Sequence, residues 1–342
     1  MNDAAAQPLD GDPTARVLVA GATGFAGALA AHLVWRHPRL ELVAITARSD
    51  AGVRLEELYP RYRVPLQLAE LDLGALDGID AAIVAYPHAA SAPVVAEMRG
   101  LGISVVDLSA DFRLRDPELY QKWYGPHGEP ELIADAVYGL PELHRDRLRE
   151  AELVANPGCY PTATLIAVAP LAERSLIVDL AVDAKQGVSG AGRGGGDETH
   201  FVSMAENAFA YKADAHRHTP EMEQELRTLG FSGPVTFVPH LLPLDQGELA
   251  TCFVTPTDEV GPDELRSIYE QRYASEPFVR LTDRPPGVRD VRDTNECHLH
   301  VVRNGSRIVV LAAIDNLWKG ASSQAIQNLN LMLGLDEREG LT

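Results

Sequence analysis

Apolar positions follow two different periods along this chain, and the change between them falls near its middle. Residues 16–20 (Arg-Val-Leu-Val-Ala) form a short β-branched run that ends in glycines, and an apolar helical pattern over 26–35 follows, closed by His37-Pro38. Residues 42–46, 81–85 and 103–107 read as further strands, with a helix over 89–99. Strands alternating with helices predict a parallel sheet covered on both faces. Beyond Asn156 the order changes. A long apolar helix over 161–173 precedes strand patterns at 176–184, 235–238, 249–254, 298–302 and 308–314, with helices at 220–229 and 262–274. That half predicts an α+β domain with a mostly antiparallel sheet. A last helix over 316–335 is expected to return to the first domain. The expected division is a disordered tail over 1–14, one domain of 15–158 plus 316–342, and a second of 159–315.

Length and charge narrow the classes. A chain of 342 residues fits two domains. Lys plus Arg number 30 and Asp plus Glu 49, a net charge of −19, the wrong sign for nucleic acid or an anionic membrane surface. Three dispersed cysteines (Cys159, Cys252, Cys297) with no C-x-x-C pair disfavour a disulfide framework and a zinc site, and no metal is expected. The first fourteen residues lack a basic start and an apolar core, so they do not read as a secretory signal. The apolar run at 163–172 contains Pro170 and falls short of the ~20 residues of a membrane span. The expectation is a soluble protein of the reducing cytoplasm.

Gly21-Ala-Thr-Gly24-Phe-Ala-Gly27 stands between a strand and a helix. Glycines there let backbone approach a pyrophosphate, and the helix N-terminus favours the anion. The spacing is G-x-x-G-x-x-G, a departure from the usual G-x-G-x-x-G. The first half thus reads as a Rossmann-like dinucleotide-binding domain. The second strand ends Thr46-Ala-Arg48-Ser49, where a guanidinium and a hydroxyl suit a 2′-phosphate, so NADP is expected over NAD although Asp50 follows.

Asn156-Pro-Gly-Cys159-Tyr-Pro-Thr162 puts a thiol between a strand end and a helix start, where the dipole is expected to lower its pKa. Cys252 and Cys297 lack that context. A thiolate with a nicotinamide cofactor implies thioester chemistry. His216-Arg-His218-Thr-Pro-Glu221 precedes a helix with Thr219 as expected N-cap, and its imidazoles suit general acid/base work. Asp107-Leu-Ser-Ala-Asp-Phe-Arg113 follows a strand end, and Arg113 suits a bidentate grip on phosphate or a surface salt bridge. The glycine patch 190–196 with Arg193 reads equally as a linker or an anion-binding loop.

Taken together, the motifs 21–27, 107–113, 157–162, 187–193 (Gly-Val-Ser-Gly-Ala-Gly-Arg), 216–221 and 313–320 (Ala-Ile-Asp-Asn-Leu-Trp-Lys-Gly) resemble, in matching order, the N-acetyl-γ-glutamyl-phosphate reductase family, relatives of aspartate-semialdehyde dehydrogenase. The resemblance implies NADPH-dependent reduction of an acyl phosphate to a semialdehyde with release of phosphate. It implies Cys159 as nucleophile, one of His216 and His218 as proton shuttle, and the other with Glu221 orienting substrate. Arg113, Asn156 and Tyr211 are the further substrate or phosphate contacts. Gly21, Thr23, Gly24, Phe25, Ala26, Gly27, Arg48, Ser49, Pro87, His88, Ser189, Gly190 and Asn316 are the expected cofactor contacts. A homodimer or homotetramer is also implied. One departure is Gln246, where the family commonly carries arginine in Pro-Met-x-Arg-Gly. Two other readings are a carrier-linked aminoadipyl-phosphate reductase, whose acidic carrier a charge of −19 would repel, and a non-catalytic NADP-binding sensor.

Overall fold

A computed structural model describes Gln7 and residues 11–342. The chain divides into two compact units, Met1–Pro157 with Ala321–Thr342, and Gly158–Gly320. Most of the expected disordered tail lies outside the described residues. Gln7 itself is engaged: its amide donates to the Val34 carbonyl, and its Oε1 accepts the Leu42 N–H.

In the first unit the order is β1 (Ala15–Ala20), α1 (Phe25–Arg36), β2 (Leu40–Thr46), α2 (Leu55–Leu58), β3 (Ala81–Val84), α3 (Ala92–Gly100), β4 (Ser104–Asp107), α4 (Pro117–Tyr124), β5 (Val137–Tyr138), α5 (Pro141–Leu148) and β6 (Leu153–Ala155). Six strands in the order β2-β1-β3-β4-β6-β5 pair in parallel throughout. Val17 to Ala20 and all of β3 are buried, as central strands of a two-sided sheet must be. The expected elements 16–20, 26–35, 42–46, 81–85, 89–99 and 103–107 are present with ends moved by a few residues. Strands β5 and β6 have two and three residues, too few to register a period.

The chain's last helix, Ser323–Met332, packs on α1, α5 and β4. Its buried amides are used: Gln324 and Asn328 both donate to the Gly139 carbonyl. The single helix expected over 316–335 is split. Asp315 accepts the N–H groups of Leu317 and Trp318, a π-turn spans Trp318–Ser322, and regular helix begins only at Ser323.

The second unit carries α6 (Cys159–Ala172), β7 (Ile177–Gly187), α7 (Phe201–Met204), β8 (Phe209–Ala210), α8 (Thr219–Thr228), β9 (Val235–Leu242), β10 (Glu248–Pro256), α9 (Pro262–Tyr273), β11 (Val279–Leu281), β12 (Cys297–Asn304) and β13 (Arg307–Ile314). Its sheet runs β11-β12-β13-β10-β7-β9-β8. Pairings β7–β10, β10–β13, β12–β13 and β8–β9 are antiparallel, and β11–β12 and β7–β9 are parallel. The sheet is therefore mixed but mostly antiparallel.

Helix α6 is buried on every side beyond its first residue, as its uniformly apolar sequence demands. Pro170 inside it has no N–H for the Ile166 carbonyl. The Tyr273 hydroxyl supplies that missing donor, and the Tyr269 hydroxyl bonds the Ala167 carbonyl. Along β7 and β10 alternate residues face this helix: Leu180, Val182 and Ala184 on one strand, Ala250, Cys252 and Val254 on the other.

Candidate active site

The glycine loop of the first unit is shaped by close backbone contact. Gly21 has φ +88, and a Cβ there would lie 2.6 Å from the Ala85 carbonyl oxygen. A Cβ on Gly27 would lie 2.2 Å from the Gly21 oxygen. Neither obstacle is a movable side chain, so only glycine fits. The N–H groups of Gly21 and Ala22 bond the Thr46 carbonyl at 2.8 and 2.9 Å, and Tyr59 donates to the Thr23 carbonyl. Phe25 meets the Tyr59 ring edge-on. Gly24 caps α1 in extended conformation, and among the described residues no side chain covers that helix start. This cradle fits a pyrophosphate: Ala26 and its neighbours begin the helix with first-turn N–H groups that have no intrahelical acceptor.

At the end of β2, Arg48 and Ser49 are exposed, with the Arg48 guanidinium 5.5 Å from the Tyr86 ring centre. Pro87 is exposed, and His88 Nδ1 accepts the Ala110 N–H. The 107–113 segment is built around buried carboxylates. Asp111 accepts the N–H groups of Ala89, Ser91 and Ala92 and the Tyr120 hydroxyl, so it anchors the start of α3. Asp107 is pushed up to about 6 by burial, against the Ser109 and Ser91 hydroxyls that donate to it. Arg113 donates through Nε to the Asn156 carbonyl and through Nη2 to the Leu108 carbonyl, both at 2.8 Å. The Asn156 amide spans Ala321 and Asn328.

In the second unit Cys159 is the first residue of α6, after Gly158 at the N-cap. The helix therefore begins two residues earlier than the pattern predicts, which brings the thiol into its first turn. The Gly158 N–H donates to Glu221 Oε1 at 2.8 Å. The His218 ring lies against this glycine, and a Cβ there would be 2.5 Å from His218 Nε2. His218, not Thr219, occupies the N-cap of α8, since the turn bonds Thr219 N–H to the His216 carbonyl and draws Thr219 into the helix. His216 Nδ1 accepts the His218 N–H at 3.1 Å. Around the His216 ring stand the edges of Tyr160, Tyr211, Phe237 and His218. Burial, then the charges of Lys212 and Arg217, lowers its pKa to about 4.

Cys159 keeps part of its surface, and its sulfur accepts a hydrogen bond from Gln186 Nε2 at 2.9 Å. The expected low pKa is corrected. Burial holds the thiol well above its ordinary value, and the Glu248 carboxyl beside it adds to the rise. Glu221, a carboxylate on the helix cap, also opposes the dipole that was expected to favour the thiolate. Ser189 and Asn316 bond each other, and Asn316 Oδ1 takes the Gly247 N–H at 2.7 Å, so these polar groups brace the entry to β10. The Gln186 amide covers Gly190, where a Cβ would lie 2.4 Å from it. Gln246 is buried and bridges Asp293 and Asp315, each at 2.8 Å.

Cys159, His216, His218, Tyr211 and Glu221 are thus gathered at one end of α6, while Arg113, Asn156 and the glycine loop belong to the first unit. Gln186, Glu248 and Tyr160 were not anticipated. A signal for two of them exists: Gln186 and Glu248 continue the core-facing alternation of β7 and β10, so each is a polar residue in an apolar register. Among the described residues no cluster of three or more His, Cys, Asp or Glu is arranged to hold a metal ion, and no helix is long and apolar enough to cross a membrane.

Two family models cover most of the chain: "Semialdehyde dehydrogenase, NAD binding domain" over residues 16–151, and "Semialdehyde dehydrogenase, dimerisation domain" over 159–316. Among solved structures, aspartate semialdehyde dehydrogenase II of Vibrio cholerae complexed with ASA superposes with TM-score 0.72 at 18% identity, covering 94% of this chain and 98% of that one. The Candida albicans enzyme with NADP gives 0.71 at 14%, with 93% and 98% covered. Those likenesses establish the fold. N-acetyl-gamma-glutamyl-phosphate reductase of Desulforudis audaxviator is 48% identical over 95% of this chain and 97% of its own. That of Ectopseudomonas mendocina is 45% identical over 96% and 98%. With its six motifs in order and near-complete coverage at this identity, the chain belongs to the N-acetyl-gamma-glutamyl-phosphate reductase family.

Proposed function

We propose that this protein reduces N-acetyl-L-glutamyl 5-phosphate to N-acetyl-L-glutamate 5-semialdehyde and releases phosphate, through a thioester on Cys159. The observation that carries the reading is a partly exposed thiol at the first residue of α6, with an amide donor on its sulfur and the His218 ring against the preceding glycine. The Cys159 sulfur attacks the acyl carbon, and phosphate departs with the C–O electron pair. Bound NADPH supplies the hydride that converts the thioester to the aldehyde. Gly21, Thr23, Gly24, Phe25, Ala26 and Gly27 cradle its pyrophosphate, with Arg48 and Ser49 at the 2′-phosphate and Pro87 and His88 flanking them. The cofactor role of Ser189, Gly190 and Asn316 is then to hold the surrounding loop in shape.

His218 is the proton shuttle in this reading. His216, neutral at physiological pH, accepts the His218 N–H and orients that residue. Tyr211 and Glu221 line and brace the substrate end of α6. Arg113 serves the phosphate, and Asn156 acts as a brace. Three thiols without a disulfide suit the cytoplasm, and the chain self-associates as a homodimer or homotetramer.

The test runs in reverse. N-acetylglutamate semialdehyde, phosphate and NADP should yield NADPH absorbance, and aspartate semialdehyde should yield far less. NADP binding without turnover on either semialdehyde would favour the sensor reading and defeat this one.

A further inference from the structure

Glu248 is the first residue of β10, directly opposite Gln186 of β7 and Ile314 of β13. Directly opposed residues project from the same face. Below this pair the rungs are apolar: Ala250 with Ala184, Cys252 with Val182, Val254 with Leu180. The top rung alone carries two polar side chains, and the Gln186 side chain ends on the Cys159 sulfur. Glu248 is fully buried, neither carboxyl oxygen has a hydrogen-bonding N–H or O–H, and the side chain set against it is the Cys159 thiol. A buried carboxylate without a donor is costly unless a proton reaches it. The nearest source of that proton is the S–H of the nucleophile.

Resting on the thioester reading above, we propose that Glu248 is the group that takes the Cys159 proton. The S–H bond breaks toward a Glu248 oxygen, the electron pair stays on sulfur, and the Gln186 N–H steadies the thiolate. That pair then forms the C–S bond while the acyl C–O bond breaks and phosphate leaves with its electrons, taking its own proton from solvent through His218. After hydride addition the C–S bond breaks, its pair returns to sulfur, and Glu248 hands the proton back. The carboxyl ends as it began.

The surroundings agree with this division of labour. Burial raises Glu248 to about 8, and Cys159 is the side chain acting in the other direction. The titratable groups facing the pair are Tyr160 and Tyr211, both pushed upward by burial and neutral in the working range, and His216, lowered to about 4. The Cys159–Glu248 pair therefore loses its first proton near pH 8 as a unit.

The test is the pH dependence of Cys159 alkylation by iodoacetamide in the full-length protein, without turnover. The wild-type rate should rise about tenfold per pH unit below 8 and level off above it, because the pair then holds one shared proton. A rate that climbs steadily to pH 10 overturns the proposal, since a carboxylate that merely repels the thiolate gives that profile. Glu248→Gln should slow alkylation at pH 8 by about tenfold or more and abolish the plateau, and Glu248→Asp should restore part of it. Equal or faster alkylation of Glu248→Gln overturns the proposal too. Semialdehyde turnover by the wild type, measured separately, reports on the thioester reading itself, so the two failures are distinguishable.

Discussion

Replacing His216 by asparagine tests whether its neutral, accepting role is real. Asn Oδ1 stands near the place of Nδ1 and can still accept the His218 N–H, but it has no proton to gain. In the folded protein burial lowers the His216 pKa to about 4, against 6.5 for the exposed residue. The folded state thus binds a proton less readily than the unfolded chain. The stability associated with the neutral ring is complete above pH 6.5 and is lost as pH falls through 4. With 6.5 − 4 = 2.5 units at 1.36 kcal/mol each, the group accounts for about 3 kcal/mol of acid sensitivity. At pH 7, His216→Asn forfeits edge contacts with Tyr160, Tyr211 and Phe237, and should be about 1–2 kcal/mol less stable. Urea unfolding of both proteins at pH 7, 5 and 4 should show that deficit shrink and then reverse. Glu248, Asp107 and the other titrating groups cancel in the difference. Stability curves that stay parallel from pH 7 to 4 would refute a buried, neutral His216, and with it the assignment of the proton to His218.

Arg48→Glu should raise the dissociation constant for NADP at least tenfold while changing that for NAD much less, by fluorescence titration. Equal losses for both would mean the 2′-phosphate is read elsewhere. Asp111→Ala strips four donors of their acceptor at the start of α3 and should lower stability by about 3 kcal/mol or more, seen as a large fall in Tm. A change under 1 kcal/mol would mean that water replaces the carboxylate there.

How much of this was legible beforehand depended on the length of the signal. Central strands β1, β3 and β4, the buried α6 and the long strands of the second unit are continuous apolar or alternating runs, and their elements are where the pattern puts them. Short strands β5 and β6 carry no period, and the split of the C-terminal helix depends on one side chain, Asp315, folding back on the next turn. Within the site, Cys159 and the two histidines stood out because local motifs announce them. Its titration did not follow from local sequence: the helix start favours a thiolate, but Glu248, 89 residues on in the chain, and the cap formed by Glu221 reverse the expectation. Gln246 likewise read as a lost substrate cation, yet it is buried between two aspartates and bolts the β10 entry to the 315–320 turn. Asp111 looked like a partner for Arg113 and is instead engaged by the main chain of α3.

Mass spectrometry of the protein mixed with N-acetylglutamyl phosphate, with NADPH withheld, examines the covalent step itself. The account predicts a stoichiometric N-acetylglutamyl adduct on the peptide containing Cys159, discharged when NADPH is added and missing from a folded Cys159→Ser protein that still binds NADP. Turnover at a near-normal rate in Cys159→Ser, or an adduct carried by any other residue, would contradict it.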